Sequence, residues 1–272
     1  MALCGAYSCA MKIDVHTHAF HPKIADKVLD QLDHHYHIGM TGTGRADDLI
    51  QRLDKGAIDK AVVLCAATAP SQVIPANNWA IQLKKEEPRF IPFGTMHPDF
   101  DNIEEEFDRL EQNGITGLKF HPDFQGFRMD DPRFRKVMEI AGDRFIMLFH
   151  VGDTLPPEEN PSCPIKMAKL RDDFPDPIMI AAHFGGYRQW DLAVEHLADR
   201  DVFVDTSSSI DFLSDEQCKR IFDKFDREHI LFGSDYPLWD PQTEMDKLRK
   251  RLGFSDSEME DLLSAGSVLF AD

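Results

Sequence analysis

The chain has no apolar run approaching the roughly 20 residues that a membrane-spanning helix requires, so no membrane partner is expected. It is short of basic residues: 30 Lys and Arg stand against 48 Asp and Glu, a formal net charge of −18. A protein that grips a polyanion needs a basic stripe, so nucleic acid is not expected as a partner either. Cysteine is scarce, five in 272 residues. Cys4 and Cys9 fall in the first ten residues, and Cys65, Cys163 and Cys218 are widely spaced and odd in number. That pattern predicts no disulfide framework and suits a reducing cytoplasm. Residues 1–10 carry no charge and lack the basic start and sustained apolar middle of a secretory signal. They read as an unstructured leader or extension ahead of one domain spanning residues 11–272.

What is present is a regular alternation. Short apolar runs occur at Lys12–Val15, Lys60–Cys65, Phe90–Thr95, Gly117–His121, Phe145–His150, Ile178–His183, Val202–Asp205 and Ile230–Ser234. Between them lie amphipathic stretches with helical periodicity, such as Asp101–Asn113, Pro132–Gly142, Pro164–Phe174, Gln189–Ala198, Ser214–Phe225 and Thr243–Leu252. Repeated strand–helix–strand units imply parallel strands joined by right-handed crossovers. About eight of them, with no break in composition, predict a single-domain α/β fold, a closed (β/α)8 TIM barrel. Two segments depart from tight connections. Ile38–Ala46, with Gly39, Gly42 and Gly44, predicts a flexible loop, and the proline-rich Gly152–Cys163 disfavours both helix and inner strand.

Four of the apolar runs end on side chains that ligate metals: His16 and His18, His150, His183, and Asp235. A parallel barrel gathers all its strand ends on one face, so these distant residues are predicted to meet around one ion. The His-x-His spacing alone proves little, since 12 histidines in 272 residues produce it by chance roughly half a time per chain. His35-Tyr36-His37 has the same spacing at the end of a polar, helix-like segment and reads as surface. His16 and His18 differ because alternation puts both on one face of an opening strand. Lys119 and His121 share a face of a strand that Pro122 stops. A lysine aimed into a barrel mouth is costly unless paired or modified. Lys119 is therefore expected to bind a substrate carboxylate, to pair with Asp235, or, once carboxylated, to bridge two metals. Phe20, Phe124, Phe127, Phe184, Tyr236 and Trp239 follow strand ends and are candidates for an apolar pocket wall. Arg45, Arg128 and Arg188 are candidates to clamp a carboxylate.

Several motifs in this order resemble one family: Asp14-Val15-His16-Thr17-His18, Gly117-Leu118-Lys119-Phe120-His121-Pro122, Phe149-His150-Val151-Gly152, Ala182-His183-Phe184-Gly185-Gly186, Val204-Asp205-Thr206-Ser207 and Phe232-Gly233-Ser234-Asp235-Tyr236-Pro237. They resemble the amidohydrolase superfamily, in its amidohydrolase-related branch, over almost the whole chain from Met11. The resemblance implies His16, His18, His150 and Asp235 as ligands of a single ion, with His183 beside the reacting water. In a binuclear member it implies carboxylated Lys119 as a bridge, with His150 and His183 on the second ion. Zinc is the expected metal, manganese the alternative, and one ion is favoured over two. DNA-hydrolysing relatives carry glutamate at the fourth strand, which this chain does not, and the ending Ser264-Ala265-Gly266-Ser267-Val268-Leu269-Phe270 departs from the family's usual Gly-Asn-Ala close.

The expected activity is hydrolysis of an amide, ester or lactone in a small, acidic molecule by metal-activated water. Asp235 is the expected proton acceptor and His183 the residue that orients water, with Lys119, His121, Phe20, Tyr236 and Trp239 as substrate contacts. Non-oxidative decarboxylation at the same site is the first alternative, and a metal-binding barrel without catalysis is the second. A small molecule is the expected partner; self-association into a homo-oligomer is left open.

Overall fold

The computed structural model of the chain describes residues 11–270, so the expected leader, with Cys4 and Cys9, lies outside the described residues. The strands are β1 Ile13–Thr17, β2 Lys60–Val63, β3 Phe90–Pro92, β4 Gly94–Thr95, β5 Gly117–Phe120, β6 Ile146–Phe149, β7 Met179–Ala181, β8 Phe203–Asp205 and β9 Ile230–Leu231. Every strand pair is parallel, in the orders β1-β2-β3 and β4-β5-β6-β7-β8-β9. Only Phe93 separates β3 from β4, and its N–H donates to the Val63 carbonyl at 2.9 Å, so the two form a single stave. The ring closes between the last stave and the first. Val15 N donates to Phe232 O at 2.8 Å, Asp235 N to His16 O at 2.8 Å, and His18 N to Tyr236 O at 2.7 Å. Asp14 reinforces this seam, its Oδ1 accepting from His16 N at 3.1 Å and Ser234 N at 3.0 Å. The result is the (β/α)8 barrel that the alternation predicts.

Helices cover the barrel because their apolar stripes match the outward strand residues. Leu118 and Phe120 of β5 and Met147 and Phe149 of β6 join one buried cluster with Phe107, Phe134, Val137 and Met167 from the surrounding helices. Alternation then turns Lys119 to the opposite face, and puts His150 on the same face as Ile146 and Leu148. The expected helices are present, five with trimmed ends, Ile103–Gln112, Pro132–Ala141, Pro164–Asp173, Trp190–Leu197 and Asp215–Lys224, and the last starting two residues earlier, Pro241–Leu252. Their starts are set locally. Ser214 and Gln217 form a capping box, and Asp240 accepts from Thr243 N ahead of Pro241.

Two expectations need correction. Strand pairing stops earlier than the apolar runs do: β7 ends at Ala181 and β9 at Leu231, so His183 and Asp235 stand on the turns beyond. The segment Ile38–Ala46 is a loop up to Arg45, but it is tied down rather than free. Thr41 N and Gly42 N both donate to Pro237 O, and a Cβ on Gly42 would meet the Tyr236 ring at 2.2 Å. Glycine is needed there for close approach, not for mobility. Among the described residues Cys65, Cys163 and Cys218 are free thiols, and no helix is long and apolar enough to cross a membrane.

Candidate metal centre

Six staves deliver the central residues. His16 lies in β1 with His18 just past its end, Lys119 in β5, His150 directly after β6, Asp205 at the end of β8, and Asp235 beyond β9. His183 joins them from the turn after β7. His16, Lys119, His150, His183 and Asp235 are between 1% and 7% exposed, so this is an interior site rather than a rim. Three non-glycine residues here adopt left-handed backbone: His183 at φ 62°, Ser208 at 47° and Asp235 at 63°. L side chains avoid that region, and such strain concentrates where side chains must be aimed.

The hydrogen bonds assign each ring's proton. His16 Nδ1 lies 2.8 Å from Asp205 Oδ2, His18 Nδ1 2.9 Å from the Leu64 carbonyl, and His183 Nδ1 3.1 Å from the Ser207 carbonyl. Carboxylates and carbonyls only accept, so each ring holds its proton on Nδ1 and leaves the Nε2 lone pair bare. His150 is the reverse, with Nε2 3.0 Å from the Gly152 carbonyl and a bare Nδ1. That Nδ1 faces His183 Nε2 at 2.9 Å, two lone pairs with no proton between them. Likewise, Asp235 Oδ1 sits 3.2 Å from His18 Nε2 and 3.5 Å from His16 Nε2, acceptor against acceptor. Such an arrangement is repulsive until a cation enters it. Ligand atoms of His16, His183 and Asp235 all lie within 4.8 Å of one another.

Protonation favours the same conclusion. Burial, with Lys119 beside it, lowers the His16 imidazole to about 4. Burial also lowers His183, and drives His150 and His121 well below the ordinary imidazole value. For Asp235 burial acts upward, but positive charge at His16, His18 and His183 outweighs it and holds the carboxyl well below its usual range, a charge that a bound cation supplies when the rings themselves are neutral. Neutral imidazoles and an ionised carboxylate are the state in which a divalent cation is bound, so the donor set fits such an ion. Lys119 Nζ lies 3.4 Å from His16 Nε2, and burial lowers its ammonium to about 8. A second group, His121, Asp123 and His150, also comes within ligand range. There the His121 and His150 rings stack at 3.9 Å and 9°, which keeps their lone pairs in separate parallel planes.

The remaining candidates divide. Phe20 stacks on His18 at 5.8 Å, and Phe124 on His121 at 4.1 Å, both beside the site. His121 Nδ1 accepts from Phe124 N at 3.3 Å, which leaves its Nε2 as the proton-bearing edge. Tyr236 is fully buried, with its hydroxyl donating to Asp48 at 2.7 Å, and Trp239 turns its indole N–H to Ser208 at 3.0 Å. Phe127 and Phe184 pack in the core against Phe134 and Phe222. Arg45 pairs with Asp26 and Arg128 with Asp130, while Arg188 lies over the Phe212 ring at 3.8 Å. Of the segment read as surface, His35 and His37 are exposed, whereas Tyr36 turns inward against Phe124 and Tyr187. Asp205, Ser207 and Ser208 also touch these side chains and had no expected role. Only the Val204-Asp205-Thr206-Ser207 motif pointed there.

A (β/α)8 barrel with histidines and a carboxylate converging at its strand ends defines a class of metal-site barrels. Within that class the chain belongs to the amidohydrolase family, whose description matches residues 13–265. No curated protein matches the chain. Solved structures with the same fold include an uncharacterised TIM-barrel protein of Bordetella bronchiseptica, 13% identical, at TM-score 0.73 over 96% of this chain and 98% of that one. A probable 2-pyrone-4,6-dicarboxylic acid hydrolase of Acinetobacter baumannii, with citric acid bound, is 14% identical at TM-score 0.67 over 96% and 99%. A dihydroxybenzoic acid decarboxylase of Polaromonas, with bound manganese and 2-nitroresorcinol, is 14% identical at TM-score 0.68 over 96% and 97%.

Proposed function

We propose that the chain is a metal-dependent hydrolase that opens an amide, ester or lactone bond in a small, carboxylate-bearing molecule. The observation that carries this reading is the set of lone pairs on His16, His18, His150, His183 and Asp235 that face one another with no proton between them. His16, His18, His150 and Asp235 would hold one divalent ion, with His183 at its side. Zinc suits imidazole and carboxylate donors best and manganese is the alternative, as in the decarboxylase relative. One ion is favoured over two, since a second would need Lys119 carboxylated as its bridge. When bound, the ion supplies Lewis acidity, which polarises a carbonyl and eases the deprotonation of water by several pK units.

The chain's own residues then divide the work. Asp235 Oδ2 accepts from the Ser208 hydroxyl at 2.5 Å, so the carboxylate is committed as an acceptor and is built as a base. Asp235 takes the proton of the attacking water on a carboxylate lone pair that neither Ser208 nor the ion occupies, and returns it to the leaving nitrogen or oxygen as the bond to the carbonyl carbon breaks. His183 orients the water. Lys119, buried and cationic below about pH 8, offers charge to a substrate carboxylate. Replacing Asp235 with Asn is expected to abolish turnover while circular dichroism stays unchanged, and retained activity would remove it as the base.

Decarboxylation is the second reading, favoured by the Phe124–His121–His150 stack, which suits a flat ring, and by the ammonium of Lys119 as an acid for carbon. Turnover in 18O-labelled water separates the two. Label in the product carboxyl supports hydrolysis, and carbon dioxide release with no label in the organic product supports decarboxylation. Tight ion binding without turnover across esters, lactones and aromatic acids would point to a barrel without catalysis.

A further inference from the structure

We infer that Ser208 and Trp239 are positioning residues for Asp235, and that together they decide which carboxylate oxygen is presented to the ion. This rests on the functional reading above. An indole N–H can only donate, so the Trp239 Nε1–H, 3.0 Å from Ser208 Oγ, takes up an oxygen lone pair of that hydroxyl. The single hydroxyl proton is then left for Asp235 Oδ2, 2.5 Å away. The direction of the relay is forced: Trp239 to Ser208 to Asp235. Oδ2 is thereby occupied, and Oδ1 is the oxygen turned towards His18 Nε2 at 3.2 Å and His16 Nε2 at 3.5 Å.

Two further features support a built device. Ser208 and Asp235 both sit in left-handed backbone, at φ 47° and 63°, and that strain persists only where the surroundings hold it. The indole is also clamped from its face. Lys247 Nζ stands 4.4 Å from the ring centroid and is itself held by Asp211 at 2.6 Å and Glu244 at 2.8 Å. A cation over the ring draws electron density from it and strengthens the N–H as a donor. Trp239 therefore serves the site through its polar edge, whereas its place after a strand end suggested a pocket wall. A carboxylate fixed in this way loses little freedom when an ion arrives.

The test uses the full chain, Zn2+ or Mn2+ alone, and a competing chromophoric chelator. Ser208→Gly is the informative variant, because glycine accepts φ near 47° without strain while losing the hydroxymethyl group that carries the relay. Its ion-free melting temperature is expected to equal or exceed the parent's, while its Kd for the ion rises about 10–100-fold. Trp239→Phe is expected to weaken binding in the same direction by less. The double variant is expected to match Ser208→Gly alone, since Trp239 acts only through Ser208. Parent-like affinity in Ser208→Gly, or additive losses in the double variant, would overturn the inference while leaving the functional reading intact. A parent chain that takes up neither ion would overturn that reading, and this inference with it.

Discussion

Asp205→Asn is the most discriminating perturbation, because it changes one charge and almost no volume. Asp205 is fully buried. Its Oδ1 accepts from His183 N at 3.0 Å, from Ser207 N at 3.1 Å and from the Ser207 hydroxyl, while Oδ2 faces His16 Nδ1 at 2.8 Å. An amide keeps an oxygen at the first position, where three donors need it, so its NH2 must point at His16. Two donors then oppose each other across 2.8 Å. The cheapest escape is for His16 to move its proton to Nε2, the atom that faces Asp235 Oδ1. One charge-assisted hydrogen bond, worth about 1.5–3 kcal/mol, is exchanged for weaker neutral ones. The new Nε2–H can donate to Asp235, so the ion-free fold recovers part of that loss. The ion does not recover, because its ligand atom now carries a proton, and the expected cost is a 10–100-fold rise in Kd, about 1.4–2.8 kcal/mol. Chelator competition gives the Kd, and long-range 1H–15N correlation spectra give the His16 tautomer. An Asp205→Asn protein with bare His16 Nε2 and unchanged affinity would refute the reasoning.

Other consequences are simpler to check. Dialysis against a chelator should lower the melting temperature, and restoring the ion to 100 times its Kd should add about 2.7 kcal/mol of stability; identical melts with and without the ion would count against a site in the folded state. Gly233→Ala would place a Cβ 2.8 Å from His16 Cβ and 3.3 Å from Asp205 Cβ, so it should cost about 1–3 kcal/mol in chemical denaturation and weaken ion binding. Burial pushes the Asp123 carboxyl up from 3.8 to about 6, despite the hydrogen bonds from Ser162 and Asn160. The folded state therefore holds that proton more tightly than the unfolded chain, and stability should fall as pH rises from about 4 to 6. Asp123→Asn should flatten that part of the pH–stability profile, and an unchanged slope would assign it to other groups.

Much of the fold was legible because it rests on local patterning. Alternation, which sets Lys119 opposite Leu118 and Phe120 and His150 opposite Met147 and Phe149, is such a pattern and fixes which side chains turn from the helices. The apolar runs ending on His16, His150, His183 and Asp235 likewise marked where side chains would gather. What escaped depended on contacts between distant residues. Asp205 is one acid among 48, and its partner His16 lies 189 positions away. Tyr236 and Trp239 looked alike as aromatics after a strand end. Room for the Tyr236 ring comes from Gly42, and the Trp239 edge is claimed by Ser208. The early end of strand pairing at His183 and Asp235 was hidden because left-handed backbone at a histidine or aspartate leaves no compositional mark.

The seam between β9 and β1 has a consequence for biosynthesis. Imidazole and carboxylate meet there across 217 positions of chain, His18 against Asp235. While the ribosome is still working on the middle of the message, a nascent His16 and His18 have no carboxylate opposite them and no finished ring to hold them. Capture of the ion that we propose is thus reserved for a polypeptide that has already brought its early and late portions together.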